Sequence, residues 1–332
     1  MDWNKGYEAR YYGTFVDPLS WRDIERFEIT SGNISHTIGE LRESADIGCV
    51  NYTQGEKWIR IWLDARQDGA SSHTPIFTGL ATSPSDSING RLVSNTLECY
   101  SVLKPAQDVL LPRGWYASAN TTGTVLIEDL LGVIPAPLEY EPNSPRLKKH
   151  IIAEDGENHL SMVEKILLAI NWRLQIKGDG TVYVSPLPKK ASAEYGVYDN
   201  DSIEPALTKE YDWYDCPNVF RATSDGVSVI AVDDDLNSPL STVNRGREIW
   251  AEDTSCNLNA GETLYDYAER RLKESQQVSE RVTYDRRYNP DLLTTDIVNL
   301  KYPAQNILGN YVVVSQNIEL GYGGKTTEEV AR

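Results

Sequence analysis

The chain has 332 residues, 40% of them apolar, with 32 basic against 49 acidic side chains and a formal charge of −17. That length allows two or three domains with their own cores. An acidic surface repels phosphate backbones, which disfavours sequence-specific reading of nucleic acid. No apolar run approaches the ~18 residues of a membrane helix, and the N-terminus lacks a signal-peptide pattern. The four cysteines, Cys49, Cys99, Cys216 and Cys256, stand too far apart for a C-x-x-C pair, so reduced thiols in a cytoplasm are the expectation. Tyr (19) and Trp (8) outnumber Phe (4), and such rings suit half-buried sheet faces, interfaces or carbohydrate surfaces.

Up to about Ala106 the sequence predicts short strands: "YEARYYGTFV", "RFEITSGNISHTI", "KWIRIWLDAR", "HTPIFTGLATS" and "RLVSNTLECYSVL", punctuated by Gly, Asp, Ser or Asn. In the third of these, Ile59, Ile61 and Leu63 face a core. Trp58, Arg60, Trp62 and Asp64 then form an opposite face available to a partner. Five or so strands in a hundred residues read as a small sandwich or barrel.

After Pro105 the pattern turns helical. "GTVLIEDLLGVI" places Val125, Leu126 and Leu130 at helical spacing, and the proline-rich "PAPLEYEPNSPR" is a surface connection. In "HLSMVEKILLAINW", Ser161 and Glu164 have capping-box spacing, and Met162, Val163, Ile166, Leu167 and Ile170 form one apolar stripe. The next stretch, "NWRLQIKGDGTVYVSPLP", is a hairpin. Sorting of its faces selects a three-residue turn of Gly178, Asp179 and Gly180, which pairs Ile176 with Val182 and Leu174 with Val184. Gly180 takes the left-handed position, so Gly180→Val should cost more than Asp179→Asn. Neither a metal nor an adhesion role is needed for "KGD". Beyond Pro188 strands return in "NVFRATSDGVSVIAVDDDLN", "VSERVTYDRRY", "DIVNLKY" and "NYVVVSQNIELGYGG". A helix is predicted in "NAGETLYDYAERRLKESQQ", with Leu264, Tyr267, Ala268 and Leu272 on one face.

Candidate chemistry is sparse. No G-x-S-x-G, H-E-x-x-H, Walker or Rossmann pattern occurs. His150 and His159 flank Glu154, Asp155 and Glu157, without a fixed spacing that chemistry would demand. Asp233, Asp235 and Asn237 resemble the start of a calcium loop, but Ser238 replaces the turn glycine and Asn244 the bidentate Glu. Sequons at Asn33, Asn51, Asn120 and Asn200 carry no meaning in a cytoplasm. The expectation is a non-enzyme with no catalytic, cofactor-binding or metal residues and no cofactor.

Taken in order, "YYGTFVDPLSWRDI", "IFTGLATSPSDS", "LECYSVLKPAQDVLLPRGWY", "LSMVEKILLAINWRLQIKGDGTVYVSPLP", "CPNVFRATSDG", "AGETLYDYAERRLKES" and "DIVNLKYPAQNILGNYVVVSQNIEL" resemble the tail hub or baseplate hub proteins of bacteriophages and phage-derived injection particles. The resemblance implies an α+β, β-rich fold of two tube-like antiparallel β-barrel domains with an intervening α/β lobe. The first barrel would span 1–106, the lobe 107–190, and the second barrel, with an inserted segment and helix, 191–332. It further implies a homotrimeric ring adapting the sixfold tail tube to a threefold tip and lining the DNA exit channel. The implied partners are the tail tube or distal tail protein, the tape measure protein, and a central spike or fibre protein. No sequence-specific nucleic acid and no membrane insertion is expected. The implied location is the virion tail, assembled in the bacterial host cytoplasm. Since the sequence stops soon after its last strand, no separate lysin domain is expected. The rival readings are a tail-associated peptidoglycan hydrolase using Glu154, Asp155 or His159, and a carbohydrate-binding module using Trp58 and Trp62.

Overall fold

The computed structural model describes all residues except 4, 51, 53, 54, 83, 90, 91, 197–202, 215, 225, 255, 257, 259–261, 277, 278 and 322. Two compact units emerge: Met1–Leu207 with Thr283–Val330, and Thr208–Val282 with Ala331–Arg332.

The first unit opens with seven strands: β1 (Glu8–Val16), β2 (Asp23–Thr37), β3 (Glu43–Val50), β4 (Lys57–Gln67), β5 (Ala70–Ala81), β6 (Ser85–Asn89) and β7 (Leu92–Ser101). Alternation sets their faces: Ile59, Ile61, Leu63 and Ala65 of β4 are all fully buried, joined by Phe27, Phe77 and Leu97. The ladder runs β1-β4-β5-β7-β3-β2, and β2 pairs back to β1, so the path returns to its first strand. Strand β3 lies outside the predicted set. Its inward positions, Ala45, Ile47 and Cys49, are mostly small, although its burial alternates along its length.

A helical lobe follows, still within this unit. It contains α1 (Lys104–Asp108), β8 (Tyr116–Ala117), α2 (Gly123–Leu131), β9 (Leu138–Tyr140), β10 (Ile151–Ile152), α3 (His159–Ile170), β11 (Trp172–Ile176) and β12 (Val182–Pro186). Helices α2 and α3 and the inward face of the β11–β12 hairpin share one core that includes Leu130, Met162, Val163, Ile166, Leu174 and Val182. The helix start differs from the expected one. Asn158, not Ser161, is the N-cap, its Oδ1 accepting from Ser161 N at 2.8 Å, and Glu164 is spent on Arg42 instead of closing a capping box. Both residues fit the capping-box letters, yet Asn158 reaches the free amides one turn earlier. In α2, Val125 points to solvent while Ile127, Leu130 and Leu131 take the core.

After β13 (Ala193–Gly196), strand β14 (Ile203–Asp212) carries the chain out of this unit. The second unit contains β15 (Val219–Ser224), β16 (Val227–Val232), α4 (Thr242–Arg245), β17 (Trp250–Asp253) and α5 (Leu264–Ser275). Its three-stranded sheet, ordered β16-β15-β17, buries Phe220, Ala222 and Ala231 against Tyr267, Ala268 and Leu272 of α5. A Thr263–Asp266 capping box starts that helix.

Strand β18 (Ser279–Arg286) returns the chain to the first unit, where β19 (Ile297–Tyr302), β20 (Ile307–Leu320) and β21 (Thr326–Ala331) complete it. Residues 32–37 of β2 pair with residues 315–320 of β20, so the N-terminal ladder continues as β2-β20-β21-β18-β14, with β19 and β13 branching from β20. The fold is β-rich and dominated by large antiparallel sheets.

Candidate functional site

The hairpin turn at residues 178–180 is where the lobe meets the first sheet. The expected register holds at every pair from Trp172↔Pro186 to Ile176↔Val182, with Gly180 N donating to Lys177 O at 2.7 Å and Gly180 at φ +84°. The carbonyls of the turn act as acceptors. Thr78 Oγ1 donates to Gly178 O at 2.8 Å, Trp21 Nε1 to Asp179 O at 2.9 Å and Arg60 Nη2 to Asp179 O at 3.0 Å. A Cβ on Gly178 would lie 1.9 Å from Pro75 O, so the two backbones touch only because no side chain stands between them. Spacing singles out Gly180 for its backbone angle, whereas Gly178 is required by a strand roughly a hundred residues away.

The dock corrects one expectation. The Trp58, Arg60, Trp62 and Asp64 face is half taken by the chain itself. Trp58 packs with Trp21 against the lobe core, ring centroids 5.5 Å apart, and the buried Arg60 is neutralised by Asp23 at 2.8 Å while donating to Thr78 at 3.0 Å. A buried guanidinium needs this density of acceptors.

Part of the polar face of the hairpin is buried as well, at Gln175, Thr181 and Ser185. Gln175 Nε2 donates to Thr294 O at 2.7 Å, and Arg173 Nη1 reaches Thr295 O at 2.9 Å and Asp296 Oδ1 at 2.8 Å. Arg42, from the β2–β3 turn, bonds Glu164 of α3; burial nevertheless holds the Glu164 carboxyl above its usual range. The lobe is thus tied to the N-terminal strands at its turn and at α3, and to the segment before β19 at its polar face.

The outer half of the β4 face carries a stack. Trp62 and His73 lie 4.3 Å apart at 8°, Tyr12 parallels Trp62 at 6.4 Å, and the Arg26 guanidinium sits 3.6 Å over Tyr12. His73 Nδ1 meets Asp64 Oδ1 at 2.5 Å and its Nε2 meets Tyr12 OH at 3.0 Å, so the ring bridges the carboxylate and the phenol.

The predicted chemical clusters resolve into structural contacts. His159 Nδ1 donates to Leu130 O at 2.8 Å, His150 Nδ1 accepts from Ala119 N at 3.3 Å, Glu157 pairs with Lys165 at 2.9 Å, and Asp155 with Arg113 at 3.2 Å. Glu154 also reaches Lys165, at 3.5 Å. In the second unit Asp233 Oδ2 accepts from Ser238 and Gln276 at 2.6 and 2.8 Å, and Asn244 donates to Leu236 O and Ser238 O. The loop satisfies itself. No group of three His, Cys, Asp or Glu among the described residues is placed to hold a metal ion. Asn51 and Asn200 lie outside the described residues. No described helix is long and apolar enough to cross a membrane.

Three solved structures share this architecture along nearly the whole chain. A tail protein from Neisseria meningitidis MC58 matches with a TM-score of 0.70 at 16% identity, covering 98% of this chain and 97% of its own. The 43 kDa tail protein of prophage MuSo2 from Shewanella oneidensis matches with a TM-score of 0.68 at 11% identity, covering 98% of both chains. The chain has the fold of phage tail proteins. The prophage tail protein gp18 from Listeria monocytogenes EGD-e is a more distant match, with a TM-score of 0.54, 13% identity, and 97% and 94% coverage. No protein-family model matches the chain, and no curated protein matches it.

Proposed function

We propose that this chain is a structural hub of a phage-type tail tip or baseplate, a homotrimeric ring that joins the tail tube to the tip and through whose lumen DNA leaves. The observation that carries the reading is a tail-protein fold matched end to end, with 98% of the chain covered. The self-returning β1-β4-β5-β7-β3-β2 ladder supports a first tube-like barrel over residues 1–106. Residues 107–190 form the lobe, and 191–332 a second barrel carrying an insertion. A net charge of −17 suits a conduit to which DNA must not adhere. The partners in this reading are the tail tube or distal tail protein, the tape measure protein and a spike or fibre protein, with assembly in the host cytoplasm.

No catalytic, cofactor or metal role is assigned to any residue, and the chain acts as a non-enzyme. The hydrolase reading rests on Glu154, Asp155 and His159, and each is engaged in a local contact. The carbohydrate reading rests on Trp58 and Trp62, the first of which packs against the lobe. The test is the mass of the purified assembly by light scattering and native mass spectrometry. About three times the 37.3 kDa chain mass is expected. A chain that stays monomeric at high concentration and in isolated tail particles would sink the proposal, as would clearing of peptidoglycan by the isolated chain.

A further inference from the structure

Where β2 meets β20, the buried face of the sheet carries a row of polar side chains. His36 lies directly opposite Glu43 of β3 and Gln316 of β20, so all three share one face at neighbouring cross-strand positions. All are buried, at 4%, 4% and 1% exposure. One step along, the same face is apolar, with Ala45, Ile34 and Ile318 in register. His36 Nε2, Glu43 Oε1 and Gln316 Oε1 have no hydrogen-bond partner among the described residues.

The row continues into a pair that is fully used. Gln316 Nε2 donates to Glu328 Oε2 at 2.8 Å, Tyr284 OH to Glu328 Oε1 at 2.5 Å and Arg286 Nε to Glu328 Oε2 at 3.0 Å. Arg286 and Glu328 neutralise each other, so neither supplies a counter-charge to Glu43 or His36. Tyr288, whose own electrostatic neighbours are Tyr7, Tyr11, Arg286 and Glu43, adds only a phenol. At the β2–β3 turn, the guanidinium of Arg42 is bound to Glu164 and Ile38 O.

We propose that the Glu43–His36–Gln316 row is a protonation-sensitive latch on the β2–β20 seam, which holds the seam closed only while Glu43 and His36 are both uncharged. A buried charge without a partner is costly, whereas opening the seam hydrates it. Burial drives the two groups in opposite directions. It lowers His36 from 6.5 to about 4, and it raises Glu43 well above 4.5.

The signs follow from proton counts. Below pH 6.5 the open seam binds a proton at His36 that the closed seam refuses, so His36 favours opening as pH falls. Above pH 4.5 the closed seam retains a proton on Glu43 that the open seam releases, so Glu43 favours opening as pH rises. Between these values the two effects cancel, and the seam is tightest there.

The experiment is hydrogen exchange on the full chain, read at the amides of residues 32–37 and 315–320 from pH 4.5 to 8 and corrected for intrinsic exchange. His36→Gln removes the acid limb. Its opening relative to wild type should fall roughly 100-fold from pH 6.5 to 4.5, tenfold per unit. Glu43→Gln removes the other limb, and its relative opening should fall as pH rises from 4.5, the opposite slope to that of His36→Gln. Ratios that are flat with pH, or that slope the same way in both variants, overturn the latch. Should either variant fail to fold, imidazole NMR of the wild-type chain decides: His36 should remain neutral down to about pH 4, and titration near 6.5 in the folded chain refutes the proposal.

Discussion

Gly178→Ala should be among the most damaging single-methyl additions in this protein. The new Cβ would sit 1.9 Å from Pro75 O, 2.5 Å from Pro75 C and 2.8 Å from Ile76 Cα, all backbone atoms of β5 that cannot rotate away. The turn must therefore withdraw, and with it go the bonds from Thr78, Trp21 and Arg60. Two neutral hydrogen bonds at about 1 kcal/mol each and one from a charged donor at about 1.5–3 kcal/mol give a loss of roughly 3.5–5 kcal/mol. Gly180→Val adds left-handed strain of about 1–2 kcal/mol to a close approach on Thr78 and Trp21 at 2.9 Å. Asp179→Asn retains the Oδ1 that accepts from Thr181 N at 2.9 Å and should change stability by about 0.5 kcal/mol or less. Urea denaturation followed by tryptophan fluorescence measures all three, since Trp21 and Trp58 flank the dock. A Gly178→Ala chain within about 1 kcal/mol of wild type, or no less stable than Asp179→Asn, refutes the close-contact reasoning.

Other outcomes are equally specific. Arg286→Met strands the buried Glu328 carboxylate and should cost about 3–5 kcal/mol, with much of the loss recovered by adding Glu328→Leu; thermal unfolding in which the double variant is the worse of the two contradicts this. Asn158→Ala should cost about 1 kcal/mol by uncapping α3, and Ser161→Ala clearly less; the reverse order would restore Ser161 as the cap. Burial raises the Cys49 and Cys99 thiols, Cys49 to about 11, so at pH 8 both should resist maleimide in the native chain while the partly exposed Cys256 labels first. Rapid labelling of Cys49 or Cys99 without unfolding would contradict the burial.

Local patterns were legible where one segment contains its own answer. The β11–β12 register could be read because both faces sort within fifteen residues, and α5 because Thr263, Asp266 and the apolar stripe agree. What failed depended on distant chain. Trp58 and Arg60 alternate like an open face, yet their acceptors and packing partners are Asp23, Asp179 and the lobe core. The α3 start is ambiguous in the sequence because Ser161 and Glu164 satisfy the capping-box letters while a better acceptor, Asn158, lies three positions upstream. Strand β3 is hard to read in the sequence because Ala45 and Cys49 give weak apolar contrast. The His36–Glu43 row was invisible for a simpler reason: neither residue looks like a core residue until the register places them together.

Strand β2 has one more property that follows from its irregularity. In its first half the inward side chain is odd-numbered Phe27, and in its second half the inward ones are even-numbered Ile34 and His36. The switch falls at the register shift between Ile29 and Ser31, where one extra residue is absorbed. That residue is a phase shifter: it lets a single strand point inward in two consecutive ladders whose insides lie on opposite parities. A one-residue deletion there would leave every side chain chemically intact and turn half of the strand inside out. Length, more than identity, is what residues 29–31 encode.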